Sequence, residues 1–119
     1  MVYVEVIRGS IPDGVQPGCG AILKYKVHGH AGYAEHGQDI VCAAASATIY
    51  TAAGALNKLC GAPKRCARER DGYFELTPPV FKDSDKARVA NIILETTYIG
   101  FKQIEASYPE YLKVTDIPK

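Results

Sequence analysis

The sequence predicts an α+β domain in two layers, a mostly antiparallel or mixed sheet with two helices in the order ββ-α-ββ-α-β. Three observations carry this. Two stretches near the N-terminus alternate apolar and polar residues with the period of a strand. Two long segments start at favoured cap residues, carry apolar residues through several turns and end at Gly61 and Pro109, and read as helices. Between them, Asp71-Gly72 joins two short runs as a hairpin, and hairpins favour antiparallel pairing.

Val2 to Ile7 alternates, with Val2, Val4 and Val6 on one face and Tyr3, Glu5 and Ile7 on the other. Ser10 to Gly18 holds Gly, Pro and Asp and reads as a long turn. Ala21 to His28 is a second strand, antiparallel to the first, with Leu23, Tyr25 and Val27 opposed to Ile22, Lys24 and Lys26. Gly29 to Gln38 is a loop punctuated by Gly29, Gly32 and Gly37, and His36 reads as a solvent-facing residue within it. The first helix is expected over Asp39 to Cys60, with Asp39 as a favoured N-cap and Gly61 as its stop. This helix is apolar all round, which predicts burial on several sides, against the sheet and against another subunit.

Lys64 to Arg70 and Tyr73 to Leu76 form the hairpin, ended by Pro78-Pro79. Asp83 or Ser84 caps a second helix running to about Ser107, with Val89, Ile92, Ile93, Thr96 and Ile99 as its inner stripe. Tyr111 to Ile117 is a last strand.

At 119 residues the chain is expected to form one domain over 1–119 with a single core. It is 47% hydrophobic and 23% charged, with a net charge near +1. That balance gives no electrostatic footprint for nucleic acid or a membrane surface, so neither is expected as a partner. No apolar run is expected to reach the roughly 18 residues of a membrane span. The alternating start is not a signal peptide, which points to the cytoplasm. Reduced thiols are then expected for Cys19, Cys42, Cys60 and Cys66, and no C-x-x-C pair suggests a zinc ribbon.

The chemistry concentrates between Gly29 and Ser46. Cys42 is placed near the start of the first helix, and His30 stands beyond the second strand, twelve positions earlier. A free thiol ionises near pH 8.5 and is only a few per cent thiolate at neutrality. The helix dipole contributes roughly 0.3–1 kcal/mol, less than the ~1.4 kcal/mol that one pKa unit costs. A base is therefore needed, and His30 is the candidate: it takes the thiol proton and later protonates a leaving amine. Free N–H groups at the helix start offer an oxyanion site.

Each residue also has a plainer reading. Cysteine in an Ala-rich helix is commonly inert packing. Asp39 is either a helix cap or an orienter of His30. Ser46, one turn after Cys42 on the same face, either meets the sulfur region or bonds the carbonyl four residues back. Tyr33 is an aromatic candidate for substrate contact. His28, His30, His36 and Cys42 together offer a tetrahedral zinc set, at a spacing that matches no short zinc motif. Lys64, Arg65, Arg68 and Arg70 form a basic strand, interrupted by Glu69 and Asp71, that reads as a solvated edge rather than an RNA contact.

The pattern Gly29-His30-Ala31, then Gly37-Gln38-Asp39-Ile40-Val41-Cys42-Ala43 and Ser46, resembles the ribosomal-processing cysteine protease family, Prp. The resemblance implies a cysteine endopeptidase with Cys42 as nucleophile and His30 as base; no cofactor or metal is expected. It further implies removal of an N-terminal extension from large-subunit ribosomal protein twenty-seven, at a motif with paired phenylalanines. A homodimer and a mobile glycine loop are also implied. The Ser10–Gly18 turn carries no family pattern. The runner-up is a non-catalytic ribosome-associated binding protein of the same fold.

Overall fold

The computed structural model describes residues 1–9, 21–29 and 36–118, with the side chains of residues 36–39 left out of the description. The expected turn at Ser10–Gly18, Cys19, and the loop residues His30, Gly32 and Tyr33 lie outside the described residues.

The strands are β1 (Val2–Arg8), β2 (Ile22–His28), β3 (Ala67–Arg70), β4 (Tyr73–Leu76) and β5 (Leu112–Pro118). The helices are α1 (His36–Cys60) and α2 (Ser84–Ser107). The sheet order is β3-β4-β2-β1-β5. Every pairing is antiparallel except β1 with β5, which is parallel. The element order and the mixed sheet are those expected. The parallel pair arises because α2 carries the chain across the layer before β5 returns beside β1.

Alternation in β1 puts Val2, Val4 and Val6 in the core. In β2, Ile22 joins Tyr25 and Val27 on the buried face, against the expected grouping. The cause is a register shift: Ile7 pairs with Lys24 but Arg8 with Ile22, so Leu23 is an extra residue that reverses the alternation. The Tyr25 hydroxyl donates to the Leu94 carbonyl at 2.6 Å, joining sheet to α2. Burial pushes this phenol well above its ordinary ionisation range.

Helix α1 begins at His36, not at Asp39. His36 and Gln38 are compatible with a helix, and an acidic residue is favoured throughout the first turn. Asp39 is thus the fourth helical residue and not the cap, and His36 belongs to the helix and not to a loop. The helix ends as expected at Gly61, which takes φ 73°. Over Ile40–Cys60, α1 is long and apolar enough to cross a membrane by length and composition. This departs from the expectation of no such segment, because Ala with Ile, Val, Cys and Leu sustains a high mean hydropathy across the interspersed Ser, Thr and Gly. Its inner stripe, Val41, Ala45, Ile49, Ala52, Leu56 and Cys60, is packed in the core. Part of the side expected to meet another subunit is covered by α2 instead, at a close approach of Gly100 to Thr48.

Asp83 caps α2, its carboxylate accepting from the Asp85 N–H at 2.9 Å and the Lys86 N–H at 3.2 Å. The buried stripe is Ala90, Leu94, Thr97 and Phe101. Of the expected stripe, Ile93 packs partly buried against the core, whereas Val89, Ile92, Thr96 and Ile99 are exposed. Large β-branched residues drew the sequence reading to the outer face, whereas the inner face uses Ala and Thr where the helix lies close to its neighbour. Lys64–Cys66 forms a 3-10 turn, so the strand expected from Lys64 starts at Ala67.

Candidate active site

The N-terminal half of α1 and the β2–β4–β3 end of the sheet enclose a cleft of about 180 Å³. Cys42, Ser46, Ile49 and Tyr50 line it from α1. Their spacing of four, seven and eight residues puts them on one helical face. Gly29 closes one end and the β3–β4 hairpin forms the opposite wall. Cys42 is free and half-buried, so its sulfur has both a packed setting and access to the cleft. Ser46 lines the same cleft as Cys42.

Gly29 is fixed by its backbone. It takes φ 129°, and a Cβ there would overlap the Met1 carbonyl. Its N–H donates to the Gly72 carbonyl at 3.2 Å, tying the end of β2 to the hairpin turn. His30 follows directly, so the last described residue before it is held at the mouth of the cleft.

With α1 starting at His36, Cys42 lies in the second turn. The free N–H groups of a helix belong to its first turn, and the dipole effect fades over that distance. The expected oxyanion site at the helix start is therefore displaced from the sulfur by about a turn. The dipole contribution shrinks correspondingly, which makes a separate base more necessary. The cap role of Asp39 falls with the same shift, while its role toward His30 lies outside the described side chains.

The cleft also contains residues that the sequence reading missed. The Tyr50 hydroxyl donates to the Glu69 carboxylate, bridging α1 to β3. This bond holds the Tyr50 phenol above its ordinary range. The Tyr50 ring packs edge-on against Phe74, with centroids 5.4 Å apart. Arg70 and Tyr73 border the cleft where the hairpin edge turns to the other face of the sheet. Burial, then a hydrogen bond to Glu75, pushes the Tyr73 phenol up to about 12. Tyr50 was within reach of the helical period, eight residues after Cys42. Glu69 and Arg70 reach the site only through long-range pairing.

His28 sits differently. Its ring stacks between Tyr3 and Tyr73, and its Nε2 lies 3.0 Å from Glu5 Oε2. Register places these side chains on the sheet face opposite the helices. His28 nonetheless borders the same cleft as Cys42, while His30 and the His36 side chain lie outside the description. Among the described residues no group of three or more His, Cys, Asp or Glu side chains could hold a metal ion.

A thiol in a cleft roofed by a helix face and walled by an edge hairpin fits attack on a polypeptide carbonyl. The family model described as cysteine protease Prp matches residues 15–113. The chain belongs to that family. A ribosomal processing cysteine protease Prp of Bacillus subtilis (strain 168) is 36% identical over 95 residues, covering 79% of this chain and 85% of the relative. The essential ribosomal processing protease Prp of S. aureus, solved with a substrate peptide, superposes with a TM-score of 0.73 at 25% identity. It covers 98% of this chain and 100% of its own. A second S. aureus Prp structure, with a covalently linked product peptide, gives a TM-score of 0.71 at 26% identity, over 98% and 100% of the two chains. This Prp-family chain is a cysteine protease.

Proposed function

We propose that this Prp-family protease removes the N-terminal extension of the precursor of large-subunit ribosomal protein twenty-seven in the cytoplasm, by means of a Cys42–His30 dyad. The observation that carries the reading is the placement of Cys42 on the cleft, at the cysteine of the family pattern. His30 takes the thiol proton, and the thiolate adds to the scissile carbonyl carbon. Collapse of the tetrahedral intermediate expels the amine, which takes the proton back from His30 and leaves a thioester on Cys42. Water, deprotonated by His30, then hydrolyses the thioester and frees the thiol. The relatives' ribosomal processing role and their capture with peptides support this assignment.

A homodimer is part of the same reading. Its support is the outer face of the helix pair, where Thr51 and Thr96 line a shallow groove and Ile92 and Ile99 stand exposed.

The test is incubation of the protein with the extended precursor and mass measurement of the products. Wild type shortens the precursor at one bond. Cys42→Ala, which removes one sulfur from a half-buried site, stays folded and loses activity by roughly 10⁴-fold or more. Cleavage by Cys42→Ala at the wild-type rate would refute the dyad. Sedimentation with ribosomes but no precursor cleavage by wild type would favour the binding protein instead.

A further inference from the structure

Past the Tyr50–Glu69 bridge, the same flank of the molecule continues into a second depression of about 300 Å³. Ala53, Gly54, Pro63, Cys66 and Ala67 line it, and its surface is apolar except at Asn57 and the rim lysines Lys58 and Lys64. Asn57 is already engaged, its amide donating to the Ala62 carbonyl at 2.8 Å. The depression therefore presents a greasy floor with few open polar demands.

Among the described residues the strand beside it is the edge of the sheet: β3 ends the strand order and pairs with β4 alone. The Thr77 N–H donates to the Cys66 carbonyl at 2.8 Å, which marks Cys66 as a residue whose backbone faces β4. Antiparallel alternation then turns Arg68 and Arg70 toward β4, and leaves the N–H and C=O groups of Ala67 and Glu69 directed outward. An extended polypeptide can pair with such an edge, with alternate side chains dropping toward the helix layer.

The two features share one line. Tyr50 and Glu69 line the catalytic cleft, and Ala53 and Ala67 line the depression, so each wall continues from one to the other within three residues. Along α1, Cys42 and Gly54 are twelve residues apart, about 18 Å at 1.5 Å per residue. An extended chain covers that span in roughly five or six residues.

Resting on the protease reading of the cleft, we propose that the depression is a substrate subsite. The polypeptide lies extended along β3, pairs with Ala67 and Glu69, and seats an apolar side chain five or six residues from the scissile bond. Continuity with the cleft selects the substrate as occupant. The Glu69 carboxylate, held to Tyr50, fixes the crossing between the two sites.

Gly54 supplies the test. A Cβ built there meets nothing within 4 Å, and leucine is a better helix former than glycine, so Gly54→Leu fills the depression without disturbing the fold. Two peptides from the precursor are compared, one with about eight residues on each side of the scissile bond and one trimmed to about three. Wild type is expected to prefer the long peptide in kcat/KM. Gly54→Leu is expected to reduce that long-over-short ratio about tenfold. A wild-type enzyme that cuts both peptides equally, or a variant with an unaltered ratio, overturns the subsite while the protease reading stands. A wild type that cuts neither peptide overturns both.

Discussion

Cys42 and Cys60 stand on one helix and are different thiols. Cys60 is 2% exposed, and its S–H points to the Lys86 carbonyl at 3.6 Å. Burial pushes its ionisation up, against a smaller opposing effect from Lys86. Cys42 is half-buried on a cleft. Since the thiolate is the reactive form, iodoacetamide on the native protein should label Cys42 well ahead of Cys60, with Cys60 reacting fully only in denaturant. Peptide mapping after timed labelling reads this directly, and equal rates for the two would refute it. The contrast was partly legible beforehand. The family pattern singled out Cys42, and the helical period placed Ser46 with it. Tyr50, Glu69 and Arg70 were not legible as a group, because nothing local tells that β3 will face the middle of α1. The shared hydrogen bond of Tyr50 with Glu69 exists only once the hairpin has docked.

At the scale of elements, helix ends decide the chemistry as much as helix faces. Asp83 satisfies two N–H groups of α2. Asp83→Ala should therefore cost about 1 kcal/mol of stability, a drop in Tm of a few degrees in a chain of this size. Thermal unfolding followed by circular dichroism measures it, and an unchanged Tm would show that solvent replaces the cap without loss. Cap chemistry made this end readable from sequence. The same rule misplaced the start of α1, because Asp is favoured both at the cap and inside the first turn, and Gly37 looked like a breaker. The error matters for mechanism, since it moves Cys42 into the second turn and away from the free N–H groups. In α2 the period was right and the phase wrong. Ile92 and Ile99 outweighed Ala90 and Thr97 on hydrophobicity, yet the smaller residues allow the close packing that the core requires. In β2 the one-residue bulge at Leu23 defeated a simple alternation, and no residue type in that strand announces it.

Across the whole molecule, carboxylates on different elements give the fold a common dependence on acid. Hydrogen bonds from Lys24 and then Tyr73 hold Glu75 below its ordinary range. For Glu105, burial pushes upward, but hydrogen bonds from Lys102 and the Val114 N–H outweigh it and hold the group low. Glu75 thereby ties β4 to β2, and Glu105 ties α2 to β5, whose Val114 N–H it accepts at 2.7 Å. In both cases the folded pKa lies below the unfolded value of about 4.3, so the unfolded chain takes up the proton first as pH falls. The stabilisation is complete above that value and is lost as pH drops through the folded one. Both groups are partly exposed, so each contributes about 0.2–1 kcal/mol. Glu75→Gln and Glu105→Gln should each lower the urea midpoint near pH 7, and the deficit against wild type should narrow at a second pH well below the unfolded value. Urea unfolding at the two pH values decides the matter: a deficit that persists undiminished in acid would mean that shape, not charge, is what these side chains supply to the fold.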